Sequence, residues 1–411
     1  MMPLNRYKAM YYDICIIGAG IAGLYCAREL SKKYPESKIC VLEKFKEVGG
    51  RTYTYHTTVN GLKISWEAGA GRIHKSHHHV WDLLKEYKID TIPINGNVEW
   101  RESGKEPEIL DFSGLLANLS LNTLSKEVLD NSTIKQIFIK LMGQKKTQEF
   151  MDRYEYRSEI DTLKASKAID CLSRELGHGE GFSVIKGGFS LLIDKMKSDC
   201  KVKFLMEHEV TNVEKKSEIY EVQVKNRNPI ICSKVIVAIP RDAVAILPCF
   251  KGLPILDQVK MRPLVRMYAV FPLINGKAWF SGINKFLCNL PIRYVLPMDP
   301  TKGTIMISYT DGPEAEYWAK QKNPEPEVMR QIRSLFSEKK IPDPLFFKVH
   351  AWKDGCSYWT PGDYDFNKVS KASVKPLPEL PELYMCNESW AWDQCWVKCS
   401  IDQAMKVVDI L

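Results

Sequence analysis

The chain has 411 residues, 45% of them apolar, enough to fill the cores of two or three domains. Its formal net charge of +8 is dispersed, without the clustered basic stripe and interleaved aromatics of a nucleic-acid surface, and a mildly positive field slightly disfavours cationic partners. No run of about 18 apolar residues occurs and the opening MMPLNRYKAM has no apolar signal core, so neither membrane insertion nor secretion is expected.

In chain order, the first informative stretch is 13–23, DICIIGAGIAG. An apolar run ends at Ile17, glycines follow at G-x-G-x-x-G spacing, and Ile21, Leu24, Ala27 and Leu30 recur at helical intervals. The pattern predicts strand, tight turn and helix. Gly18 permits the sharp turn, Gly20 lets the Ala19 to Ala22 backbone approach a pyrophosphate, and Gly23 lets helix and strand pack closely. The phosphates would lie at the helix N-terminus, where unpaired N–H groups and the dipole favour an anion. A second apolar strand, Ile39 to Leu42, ends in Glu43, about 20 residues past Gly23 and followed by Lys44, where a carboxylate takes the ribose hydroxyls of an adenosine. Gly49, Gly50 and Arg51 then offer a second close backbone approach with a guanidinium beside it, suited to the far phosphate.

GAGIAG, the acid in LEK and VGGRTYT together resemble the flavin-dependent amine oxidoreductase superfamily, which includes monoamine and polyamine oxidases, L-amino-acid oxidases and protoporphyrinogen oxidase. The resemblance implies FAD rather than NAD. WEAGAGRIH (66–74) resembles the family segment beside the isoalloxazine ring, where small residues such as Gly71 let backbone lie against a flat cofactor. Arg72 has two readings: a fork for a substrate carboxylate, as in L-amino-acid oxidases, or a contact to the flavin pyrimidine or a structural acid. His77, His78 and His79 open the next helix and point in different directions, so no metal site is expected.

From 113 to 176 the spacing turns helical, through 115–121, 134–141 and 168–176, and reads as a charged helical insertion over the active site. Glycine-rich turns over 179–189 precede another helix, strands follow at 202–205 and 209–213, and by resemblance Val210 meets the adenine through its backbone. Strands at 220–224 and 234–239 end at Pro240, and 241–350 mixes strands with a helix near 324–336. Arg266 falls where family amine oxidases carry a lysine that orders water near flavin N5, and a planar fork does not replace a point charge.

WKDGCSYWTPG (352–362), LYMCNES (383–389) and QCWVKCSI (394–401) resemble the remaining flavin segments. They imply Glu388 near the ribityl and pyrophosphate, Trp396 and Val397 at the ring, and Trp396 with Tyr358 or Trp359 as aromatic substrate walls. Cys356 stands where monoamine oxidases bond the flavin, so a covalent link is possible although non-covalent FAD is the main expectation. Asn387, Cys395 and Cys399 replace usual family glycines, which could shift the ring or narrow the cavity.

The expected fold is α/β, a discontinuous Rossmann-like FAD domain (11–75, 181–240, 351–411) with a mixed α+β substrate domain in the two-domain amine oxidase architecture. Its helical part is 76–180 and its sheet part 241–350. The expected chemistry is hydride transfer from an amine-bearing carbon to flavin N5, giving imine and then carbonyl, with O2 reduced to hydrogen peroxide. Arg266, Trp396, Tyr358 and Arg72 are its candidate catalytic-site residues. Two alternatives stand beside it: an L-amino-acid oxidase using Arg72, and an FAD-binding assembly protein whose redox site is weakened. The partners expected are a small amine or amino acid and O2; oligomeric state stays open. Twelve cysteines without a C-x-x-C pair, several within apolar strands, point to the cytoplasm or another reducing compartment.

Overall fold

The structure is a computed structural model and describes residues 11–94, 97–110, 124–175 and 181–411. The helix expected over 115–121 and the turn at 179–180 lie outside the described residues.

Strand β1 (Tyr11–Ile17), helix α1 (Ile21–Lys33) and strand β2 (Ile39–Glu43) form the predicted βαβ unit. Successive side chains of β1 point to opposite faces: Ile14 and Ile16 pack with Cys26, Ala27 and Leu30 of α1, while Cys15 and Ile17 enter a second core on the other side. From Ile14 to Ile17, where both faces are covered, the strand is an unbroken apolar run. It centres a seven-stranded sheet in the order Lys203–Met206, β2, β1, Ile230–Val237, Ile219–Val224, Val210–Lys216, with Leu383–Met385 also pairing to Ile230–Val237.

Lys203–Met206, β2, β1, Ile230–Val237 and Leu383–Met385 run parallel. Their carboxyl ends therefore deliver Gly18, Glu43, Ala238 and Asn387 to one rim, the crevice where open α/β sheets bind ligands.

The second seven-stranded sheet has the order Phe346–Trp359, Val259–Val270, Thr304–Asp311, Tyr294–Asp299, Phe286–Leu287, Glu99–Trp100, Glu108–Ile109. Val265, Met267 and Ala269 face a core with Trp318, Val328 and Ile332. Period-2 alternation then turns Arg266 and Tyr268 to the opposite face, where both donate to the carbonyl of Glu67.

Two of the expected segments contain strands of the second sheet. Phe346–Trp359 pairs with Val259–Val270, with one register shift between Arg262 and Leu264, so position 351 falls inside a strand of the second sheet. The 76–180 stretch is not purely helical: Thr91–Ile94 and Glu99–Trp100 are strands because each finds a pairing edge far away in sequence, at Phe182–Ile185 and Phe286–Leu287, and Glu108–Ile109 pairs back onto Glu99–Trp100. No helix among the described residues is long and apolar enough to cross a membrane. None of the twelve cysteines is joined in a disulfide.

Candidate active site

At the glycine turn each spacing requirement has a visible cause. Gly18 sits at φ +102°, and a Cβ there would meet the Ala238 carbonyl oxygen at 2.6 Å. A Cβ on Gly23 would fall 2.0 Å from the Gly18 carbonyl oxygen, which is how closely helix and turn approach. A Cβ on Gly20 would meet no protein atom within 4 Å, so its surroundings are open. Gly20 is also the N-cap of α1, without a side-chain cap and with no acid in the first turn, leaving the helix amides for an anion. Gly49 N–H donates to the Ala19 carbonyl at 2.8 Å and Gly50, at φ +57°, lies against Gly20, so the two glycine segments form one cradle.

Glu43 is buried at the end of β2, and its carboxylate accepts from Ala19 N–H at 2.8 Å and Phe45 N–H at 3.0 Å. It braces the loop while keeping further lone pairs. Lys44 is exposed, its ammonium over the Phe45 ring. Val210 opens its strand two residues after His208, whose N–H donates to the Glu43 carbonyl.

Arg51, expected at the far phosphate, and Glu388, expected near the ribityl and pyrophosphate, form an ion pair at 2.7 Å. The Arg51 guanidinium also donates to the Gly355 carbonyl at 2.9 Å, and Glu388 accepts from Ser357 Oγ at 2.8 Å. The pair thus ties the N-terminal cradle to both C-terminal segments.

Beyond it lies a cavity lined by Gly71, Arg72, Arg266, Cys356, Tyr358, Cys395, Trp396 and Val397, all singled out from the sequence, together with Ala70, Tyr156, Leu264, Tyr309 and the carboxylates Glu159 and Asp311. The space is narrow, about 80 Å³. Trp359 is not part of it: it is fully buried against Tyr364 and Phe366, because alternation along the strand sends it to the face opposite Tyr358. The Trp396 ring stacks on Phe182, with centroids 5.9 Å apart, and meets His77 edge-on, whereas His79 turns to Asp402 and His78 to solvent.

Arg72 lies in a box of rings, 4.4 Å from the Phe182 centroid, 5.5 Å from Trp396 and 5.7 Å from Tyr156, whose hydroxyl it bonds at 2.7 Å. It makes no ion pair among the described residues; Glu155, which acts on it from farther off, hydrogen bonds Tyr294. Arg266 lies over the Tyr309 ring at 4.6 Å, and its Nη1 would stand 2.9 Å from a Cβ on Gly71. Its Nε is buried without a partner among the described residues, as is Asn387 Nδ2.

Glu67 was missed from the sequence. Its carboxylate accepts from Phe189 N–H at 2.8 Å and Thr54 Oγ1 at 3.1 Å, yet burial outweighs these bonds and the Arg266 charge, raising its pKa to about 7. An acid raised above its unfolded value stabilises the fold fully below about pH 4.3 and loses that contribution as pH rises towards 7, up to about 3 kcal/mol. The urea midpoint of wild type is therefore expected to fall more between pH 5 and pH 8 than that of Glu67→Gln; equal falls would refute this. Phe182 and Tyr156 were also missed, since no local pattern marks an aromatic as lining a distant site.

The sequence profile of the family described as "Flavin containing amine oxidoreductase" matches residues 21–410. The chain belongs to this family. As a flavin-containing amine oxidoreductase it is 24% identical over 277 residues to amine oxidase [flavin-containing] A of Equus caballus, covering 56% of this chain and 50% of that protein. It is 24% identical over 257 residues to L-amino-acid oxidase of Mus musculus, covering 52% and 38%. In these alignments the chain spans about half, or less, of the length of the curated relatives. A putrescine oxidase redesigned in its cofactor binding shares the fold with a TM-score of 0.77 at 15% identity, over 98% of both chains. Wild-type putrescine oxidase bound to putrescine gives 0.74 at 14% identity, over 98% and 99%.

The residues present fit the flavin that this family implies. The open approach at Gly20 and the buried Glu43 suit the adenosine pyrophosphate end. At the other end Cys395 holds φ +68°, so the turn before the last helix keeps a glycine-like backbone although the residue is not glycine. The unpartnered Arg266 Nε and Asn387 Nδ2 supply buried donors.

Proposed function

We propose that this flavin-containing amine oxidoreductase is an FAD-dependent oxidase acting on a carbon that bears an amine. Bound FAD would supply a two-electron acceptor that takes a hydride from that carbon and is reoxidised by O2, giving hydrogen peroxide and an imine that hydrolyses to a carbonyl. Gly18 to Gly23, Glu43, Arg51 and Glu388 would hold the dinucleotide. The chain's further work is orientation and exclusion of water. Tyr358 and Trp396 wall the space in which the amine sits, and electron-rich faces attract an ammonium. Arg266, fixed by the Glu67 carbonyl and the Tyr309 ring, would place donors below the ring and organise solvent. No side-chain nucleophile is needed. The observation that carries this reading is that Arg72, Arg266, Tyr358 and Trp396, far apart in sequence, line one cavity beyond a glycine cradle open to a pyrophosphate.

A second reading, an amino-acid oxidase, is favoured by Arg72, a guanidinium in the cavity wall without an ion-pair partner among the described residues. A third, a flavoprotein with a weakened redox site, is favoured by the narrow space to which Cys395 contributes a side chain. One anaerobic experiment divides the three. Purified holoprotein is mixed with monoamines, polyamines and amino acids, and the flavin absorbance is followed. Bleaching by amines is expected under the first reading and by amino acids alone under the second; no bleaching by either class refutes both. The cofactor is proposed to be non-covalent, so acid precipitation should release the yellow colour to the supernatant; colour retained in the pellet would assign a bond, with Cys356 as its carrier.

A further inference from the structure

Close thiols occur in three places. Cys15 contacts Cys40 and Cys232 across adjacent strands, and Cys26 Sγ lies 3.7 Å from Cys386 Sγ. Both groups are sealed in cores, each sulfur-bearing residue at 1% exposure or less. The third group differs. Cys356 and Cys395 are each partly exposed, both line the cavity, and the two thiols lie near enough to act on one another. They come from the strand Phe346–Trp359 and from the turn before helix Val397–Ile410, so a bond between them would join two elements that are otherwise held by Arg51, Ser357 and Glu388. Cys395 Sγ also donates to the carbonyl of Ser357, the residue after Cys356, at 3.2 Å, which aims it at that strand.

We propose that Cys356 and Cys395 form a redox-active pair, oxidised by hydrogen peroxide to a disulfide in the cavity wall and reopened by thiol reductants. Cys356 is the attacking thiol. Burial, the neighbouring Cys356 thiol and the nearby Glu388 and Glu159 carboxylates keep Cys395 protonated, so it is not the first thiol to meet peroxide, and it gives up its proton only as it attacks the sulfenic acid. The Cys356 sulfur attacks one peroxide oxygen, the O–O bond breaks, and the departing oxygen leaves as water with the thiol proton. The Cys395 sulfur then displaces the oxygen of the Cys356 sulfenic acid, forming S–S, breaking S–O and releasing a second water. Two thiols lose two electrons and one peroxide becomes two waters. The modification would occupy the thiol best placed to bond a flavin and staple the strand to the last helix. It does not depend on the oxidase reading, which would only make the cavity itself a source of peroxide.

The test uses the folded full-length holoprotein with added hydrogen peroxide, followed by alkylation, digestion and mass spectrometry. Expected are a Cys356–Cys395 cross-linked peptide, loss of two titratable thiols, and recovery of both with dithiothreitol. In Cys395→Gly, a residue suited to the left-handed backbone, the cross-link should vanish and Cys356 should appear as a dimedone-trapped sulfenic acid. Both cysteines remaining fully alkylatable, or Cys26–Cys386 cross-linking faster than this pair, would overturn the proposal. So would a Cys395→Gly protein in which dimedone labels Cys356 no more than in the peroxide-free control.

Discussion

Gly20→Ala and Gly23→Ala are expected to fail in different ways. An alanine at 23 places its Cβ 2.0 Å from the Gly18 carbonyl oxygen, so helix α1 must move off the turn. Overpacking of this kind costs about 1–3 kcal/mol or more, outweighing the gain of about 1 kcal/mol that alanine brings to a helix over glycine. The Gly23→Ala protein should therefore melt earlier whether or not cofactor is present, and should emerge from gel filtration with little flavin absorbance. At Gly20 the backbone is extended, φ −69° and ψ 177°, and a Cβ meets no protein atom within 4 Å. Alanine there should leave the cofactor-free melting temperature unchanged. It would nevertheless occupy the opening through which a pyrophosphate reaches the α1 amides, and loss of one or two charge-assisted hydrogen bonds weakens FAD by about 10- to 100-fold. Equilibrium dialysis and thermal melts of the two cofactor-free proteins decide it. Retention of wild-type FAD affinity by Gly20→Ala would show that the phosphates take another route.

Arg72→Leu should separate substrates by their charge. The side chain is held between Phe182, Trp396 and Tyr156 and has one hydrogen bond among the described residues, to a phenol, so most of its fork is left for a ligand. A bidentate bond to a carboxylate contributes on the order of 1.5–3 kcal/mol, so KM for an amino acid is expected to rise about 10- to 100-fold. For the amine lacking only that carboxylate, KM should change little. Leucine preserves the apolar filling among the rings, which keeps the comparison on charge. Equal losses for both substrates would make Arg72 a packing element of the aromatic box and remove the support it gives to an amino-acid substrate.

What the linear chain determined by itself about the candidate site lies within its first fifty or so residues, although strands such as Ile219–Val224 and Ile230–Val237 and the helix Glu325–Leu335 were also legible from their patterns. The demands on Gly18, Gly23 and Glu43 are steric and local: a turn at positive φ, a helix touching a carbonyl, a carboxylate at a strand end. Such demands fall on residues a fixed number of positions apart, so they leave a readable spacing. Arg266, Tyr358, Trp396 and Arg72 were legible only through resemblance, one segment at a time; their sharing of a cavity is a property of how two sheets meet. The membership of Phe346–Trp359 in the second sheet, the burial of Trp359, the capture of Glu67 by Phe189 and Thr54, and the seating of Arg72 on Phe182 and Tyr156 were decided by tertiary structure alone. The reason is physical. Backbone sterics act between neighbours in sequence, whereas desolvation, ring stacking and charge pairing depend on which distant surfaces are pressed together, and no interval in the sequence records that distance.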